Sequence, residues 1–235
     1  MTEKACPHHH GGAGTHQGCV SLVPIFNHLA PEQMSEIMQV VQGLSFKRGE
    51  IMYHAGDTSD SLYIVHKGQI KIYRLSESGK EQLVRILNPG DFTGELALFQ
   101  HSVHEAYAEA MTDSEICVIK GTDLQSLLLK YPTISLKILT EFSNRLETSE
   151  RQTASFATEK VETRIALFLA ETLDQETSGK NEIKLPMSKK DLASYLGTTP
   201  ETLSRRLSDF EAEGFIKQKG QRNIVILDLD GLLLA

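Results

Sequence analysis

The stretch Ser188-Lys189-Lys190-Asp191-Leu192-Ala193-Ser194-Tyr195-Leu196-Gly197-Thr198-Thr199-Pro200-Glu201-Thr202-Leu203-Ser204-Arg205-Arg206-Leu207-Ser208-Asp209-Phe210-Glu211 decides the fold of the C-terminal third. Ser188 is a helix N-cap residue, and Asp191 suits the first turn of the helix it would open. Gly197 follows at the position where a helix ends in a left-handed residue. Thr199 is the next N-cap and Pro200 fits the first helical position. Ala193, Leu196, Leu203, Leu207 and Phe210 form an inward face across two short helices. Glu201, Ser204 and Arg205, at i, i+3 and i+4, share one outward face. Helix, glycine turn and second helix make a helix-turn-helix.

Gly214 then breaks the chain before Phe215-Ile216-Lys217-Gln218. A Lys219-Gly220-Gln221-Arg222 turn leads into Asn223-Ile224-Val225-Ile226-Leu227, so a hairpin, or wing, is expected. Between Lys184 and Arg222 there are eight basic residues against five acidic ones, inside a chain whose net charge is -7. A local basic surface of this kind is what double-stranded DNA requires, whatever the charge of the whole. Arg reads guanine, Glu accepts from cytosine N4 and Ser can approach thymine, so the triplet on the outward face has base-reading chemistry. Thr199, Arg206, Lys217 and Arg222 complete the expected DNA contacts, the three basic residues as phosphate partners that position without specifying.

Upstream, Leu44 to Ile119 reads as short alternating runs broken by turns. Ser61-Leu62-Tyr63-Ile64-Val65, Gln69-Ile70-Lys71-Ile72-Tyr73 and Gln82-Leu83-Val84-Arg85-Ile86-Leu87 are separated by Gly-containing turns. This punctuation predicts a small β-barrel or jelly roll. A helical segment with Pro31 in its first turn precedes it. A helical stretch from about Leu124 to Leu173 follows, where Ile134, Ile138, Phe142 and Leu146 recur every four residues. Such a stripe serves a dimer interface or packs on its own barrel, and periodicity does not separate the two. The expected class is α+β, with a leader over 1–20, a sensory barrel over 21–123, a dimerisation helix over 124–158 and the winged helix-turn-helix over 159–235.

Lys47-x-Gly49-Glu50, Gly56-Asp57, Leu62-Tyr63-Ile64-Val65, Lys67-Gly68, Pro89-Gly90-Asp91-Phe92 and Gly94-Glu95-Leu96-Ala97-Leu98-Phe99, in this order, resemble the cyclic-nucleotide-binding-type barrel of the CRP/FNR regulators. The Glu-x-x-Ser-Arg pattern of Glu201, Ser204 and Arg205 resembles the FNR recognition helix. The resemblance implies a homodimer on an inverted repeat of TTGAT and ATCAA half-sites, with RNA polymerase as a further partner. It also favours the dimerisation reading of the long helix. Nucleotide-binding members place Arg-Ser after the Gly-Glu-Leu segment. Here those positions fall at about Glu105 and Ala106, which cannot hold a cyclic phosphodiester, so cyclic AMP is not the expected ligand and Glu95 reads as a structural residue of the turn.

Three cysteines supply the other sensory reading. Cys6 and Cys19 lie in a leader with His8, His10 and His16, and Cys117 lies in a strand that resembles the FNR stretch carrying an isolated cluster ligand. FNR itself uses three leader cysteines, and this chain has two. An iron–sulfur cluster is implied by the resemblance. Zinc held by Cys and His, or a disulfide between a leader Cys and Cys117, are the alternatives, and Cys117 as an inert core residue is the plain one.

Hydrophobic content of 40% and charged content of 23% are ordinary for a soluble protein. The polar leader has no apolar central stretch and no run spans a membrane, so a cytoplasmic location with no membrane partner is expected. No nucleophile–base pair or phosphate-cradling loop calls for catalysis, so the chain is not expected to be an enzyme. The competing reading is a metal- or haem-binding barrel whose helix-turn-helix is a protein contact.

Overall fold

The computed structural model describes residues 23–98, 102–174 and 181–235. The expected leader, with Cys6, Cys19, His8, His10 and His16, lies outside them. The chain divides into two compact units within one long helix, between Ser143 and Asn144, and the short stretch Ser76–Leu83 groups with the second unit.

In the first unit, helix α1 (Pro31–Val40) starts on a proline at its first position. Among the described residues ten strands follow: β1 (Gln42–Phe46), β2 (Ile51–Tyr53), β3 (Thr58–Ser59), β4 (Ser61–Lys67), β5 (Ile70–Leu75), β6 (Glu81–Leu87), β7 (Phe92–Thr93), β8 (Ser102–Val103), β9 (Tyr107–Ala110) and β10 (Ser114–Lys120). They form two four-stranded sheets, ordered β1-β10-β4-β7 and β2-β9-β5-β6, and a small β3-β8 pair. This is the jelly-roll-type barrel that the turn spacing predicts. Gly94 makes one of its turns at φ +84°, and a Cβ there would lie 2.2 Å from the Ser61 carbonyl oxygen. Only glycine meets both conditions.

Strand β10 shows how the core is divided. Successive side chains on a strand point to opposite faces. Ile116 and Val118 join Tyr53, Val65, Ile70, Ile72, Leu87 and Ala108. Cys117 and Ile119 face the other way and join a cluster that includes Val23, Ile25, Phe26, Leu124, Ile134 and Ile138.

The stretch read as one helix from Leu124 is three: α2 (Gly121–Lys130), α3 (Pro132–Thr158) and α4 (Val161–Asp174). Pro132 has no amide hydrogen and disfavours helix in the residue before it, so the chain leaves the helix at Tyr131 and restarts. The apolar stripe also divides. Ile134 and Ile138 are buried in the protomer's own core and Phe142 packs against it, while Leu146 is 60% exposed; beside the stripe, Leu136 and Leu139 are 65% and 56% exposed.

In the second unit, β11 (Glu182–Lys184) precedes α5 (Lys189–Tyr195) and α6 (Pro200–Ala212). The hairpin β12 (Ile216–Lys219) and β13 (Asn223–Ile226) pairs with β11 in the order β11-β13-β12. Helix α7 (Leu229–Leu234) closes the unit. Ala193, Leu196, Leu203, Leu207 and Phe210, the expected inward face, are all buried. The described residues contain no helix long and apolar enough to cross a membrane.

Candidate nucleic-acid interface and sensory barrel

Local chemistry sets the pose of α5 and α6. The Ser188 hydroxyl accepts from the Asp191 amide at 3.1 Å. The Thr199 hydroxyl accepts from the Thr202 amide at 3.2 Å. Gly197, between the helices, has φ +66°, and a Cβ on it would come within 3.4 Å of the Phe156 ring. Phe156 therefore lies under the turn, with the Arg164 guanidinium 5.1 Å from its ring centre. Gln152, one turn earlier on α3, donates to the Tyr195 carbonyl at 3.3 Å.

With the inward face fixed, Glu201, Ser204 and Arg205 are exposed together on α6. Thr199, Lys217 and Arg222 are exposed as well. Glu211 ties the wing to α6, since its carboxylate accepts from the Gln218 amide and from the Gln218 side chain, both at 2.9 Å. These two bonds hold the Glu211 carboxyl below its ordinary range. Lys189 donates to the other side of the same glutamine, Oε1, at 2.6 Å. Arg206 is placed differently from its neighbours. It turns to Glu162 on α4, 2.5 Å away, and to Asp209, 3.2 Å away. The sequence pattern carries no signal for the Glu162 partner, which lies 44 residues upstream in another helix. The Glu211–Gln218 tie spans only seven residues, but it joins α6 to the wing across the turn at Gly214.

In the barrel, the Tyr53 ring stacks on His104 with centroids 3.6 Å apart. The Tyr53 and Thr93 hydroxyls share a hydrogen bond of 2.9 Å. Burial pushes the Tyr53 phenol up to about 12. Burial also lowers the pKa of His104, against the opposing pull of Asp57, Asp60 and Glu95, and its Nε2 is buried with no hydrogen-bond partner. Arg85 lies 3.7 Å from Glu95, so the Glu of the Gly-Glu-Leu segment is engaged by a side chain of the barrel itself. Glu105 is exposed and pairs with Arg74, and Ala106 packs against the inner cluster. Neither supplies a cation or hydroxyl for a phosphodiester.

Cys117 is 1% exposed and disulfide-bonded. The chain's two other cysteines, Cys6 and Cys19, lie outside the described residues. A sulfur bonded to sulfur and surrounded by aliphatic side chains is not a thiolate donor, so Cys117 as it stands does not fit an iron–sulfur or zinc ligand. Among the described residues no three His, Cys, Asp or Glu side chains are grouped to hold a metal.

Sheet topology, two capped helices and a wing define a DNA-binding regulator with a ligand-type barrel. Comparison with known proteins agrees. The family described as "Cyclic nucleotide-binding domain" matches residues 44–131. The "Crp-like helix-turn-helix domain" matches residues 163–234. The chain is 35% identical over 205 residues to "Probable transcriptional regulator flp" of Lacticaseibacillus casei, covering 87% of this chain and 92% of that one. It is 30% identical over 230 residues to the "Anaerobic regulatory protein" of Haemophilus influenzae, covering 95% and 88%. Among solved structures, FixK2 from Bradyrhizobium japonicum superposes with a TM-score of 0.70 at 26% identity, covering 82% of this chain and 96% of that one. The chain belongs to the CRP/FNR family of transcription regulators, which are not enzymes.

Proposed function

We propose that this regulator binds, as a homodimer, a palindrome of the TTGAT-N4-ATCAA type, and that the thiol state of Cys117 sets its affinity. The carrying observation is the joint exposure of Glu201, Ser204 and Arg205 on α6. Arg205 reads the guanine of the half-site, Glu201 accepts from cytosine N4 and Ser204 sits against thymine. Thr199, Lys217 and Arg222 lie at phosphates. Two such helices meet successive major grooves when about 34 Å apart, which a two-fold dimer provides. The exposed Leu136, Leu139 and Leu146 on α3 supply its apolar face. RNA polymerase is the partner of the bound dimer, and the cytoplasm is its place of action.

The disulfide at Cys117 supports thiol control over a metal centre. Forming it converts two thiols to one disulfide, with two electrons and two protons passing to an oxidant such as a small-molecule disulfide. The relative named "Anaerobic regulatory protein" favours redox input of some kind. Cyclic AMP has no role in this reading.

Titrating the full-length protein against the palindrome and a scrambled duplex at moderate salt tests the proposal. The expected result is tighter binding to the palindrome, with Arg205→Ala losing about 1–3 kcal/mol and its discrimination at the guanine. Equal binding to both duplexes would falsify the DNA reading.

A further inference from the structure

Arg206 follows Arg205 directly, yet the 100° step of a helix carries it off the outward face and onto the flank of α6. Its Nη2 donates to Glu162 Oε1 at 2.5 Å, and its Nη1 to Asp209 Oδ2 at 3.2 Å. Its Nε is buried without a partner. The Arg206 side chain is 34% exposed and that of Glu162 26%. Glu162 stands in the first turn of α4, where a carboxylate is favourable.

We infer that Arg206 is a positioning residue which locks the recognition helix about its own axis, and not a phosphate contact. The inference rests on α6 being the DNA-reading helix. Leu203, Leu207 and Phe210 hold α6 against the domain by apolar contact, which is non-directional, and the Glu211–Gln218 bonds tie only its C-terminal end to the wing. A guanidinium bonded at two nitrogens to two carboxylates is directional. It sits on one edge of the helix and ties that edge to α4, so it fixes where Glu201, Ser204 and Arg205 point. Two carboxylates also neutralise its charge, so it has little left with which to displace counterions from a phosphate.

The two roles give opposite signs in one experiment. Full-length wild type, Arg206→Met and Glu162→Gln are titrated against the palindrome and a scrambled duplex between about 50 and 200 mM salt. For a positioning residue, both substitutions weaken palindrome binding by about tenfold, leave scrambled-duplex binding in place and leave the salt slope unchanged. For a phosphate contact, Arg206→Met weakens both duplexes alike and reduces the slope by about 1 per protomer. In that case Glu162→Gln, which would free the arginine, strengthens both. A shallower slope for Arg206→Met, or a Glu162→Gln protein that binds the palindrome as well as or better than wild type, would overturn the inference while leaving α6 as the reading helix. A wild type that does not distinguish the duplexes sinks the DNA reading and this inference with it. A purely structural part for the pair would lower the melting temperature with an unchanged ratio of palindrome to scrambled affinity, and that also overturns it. Should Arg206→Met fail to fold, Glu162→Gln decides alone, because only the positioning role makes it lose specificity.

Discussion

At the scale of single residues, Gly94 makes a clear stability test. Gly94→Ala would combine a left-handed backbone with a Cβ on top of the Ser61 carbonyl oxygen, and should cost at least about 2 kcal/mol in unfolding free energy. His104 makes a pH test. It is neutral in the fold because burial lowers its pKa, whereas unfolded histidine titrates near about 6.5. The unfolded chain thus binds the extra proton first. Stability is full above about pH 6.5 and falls as pH drops toward the lower pKa of the fold, by no more than about 1.4 kcal/mol per pH unit. Thermal melts of wild type and His104→Gln should diverge in pH dependence over that window; parallel curves would show that His104 does not titrate as described. The caps of α5 and α6 were readable residue by residue, since Ser188, Gly197, Thr199 and Pro200 act on their nearest neighbours in the chain. Arg206 was not, because its partner is set by how α4 and α6 pack.

Elements show the same division between local and non-local causes. Pro132 marks in the sequence the point where α2 gives way to α3, though the helical periodicity on both sides runs across it. The i to i+4 spacing of Ile134, Ile138, Phe142 and Leu146 is one stripe on paper. In the fold its first two members serve the protomer's own core, and an adjacent stripe through Leu136 and Leu139 is left outward. Periodicity gives a face, and only the surroundings say what covers it. The wing carries its own test. Glu211 accepts twice from Gln218, so Glu211→Ala should loosen the hairpin β12–β13 and lower palindrome affinity severalfold, with little change in melting temperature. Because this carboxyl is held below its ordinary range, the tie is present above the unfolded pKa and is lost as pH falls through the lower folded one. Amide exchange at Gln218 in wild type and variant would read the loosening directly.

For the whole molecule, the exposed and buried leucine-type positions of α3 separate assembly from folding. Leu139→Glu should give folded monomers that no longer bind the palindrome, because an exposed position accepts a charge and an apolar interface does not. Ile138→Glu should unfold the first unit, since it puts a carboxylate among side chains with no partner for it. Sedimentation and circular dichroism distinguish the two, and a dimeric Leu139→Glu protein would move the interface elsewhere. Cys117→Ser should make palindrome affinity indifferent to reductant and to a small-molecule disulfide, while the wild type responds; identical responses would assign Cys117 a packing role only. Two domains and their order were legible in the turn spacing and the caps. The sensory input was not, because it depends on which residues meet across the fold.

Strand β10 presents alternate residues to two separate clusters, Ile116 and Val118 inward and Cys117 and Ile119 toward the helices. Such a strand lets its two sides be altered one at a time. A substitution at Ile116 or Val118 is felt first in one cluster, and a substitution at Cys117 or Ile119 in the other.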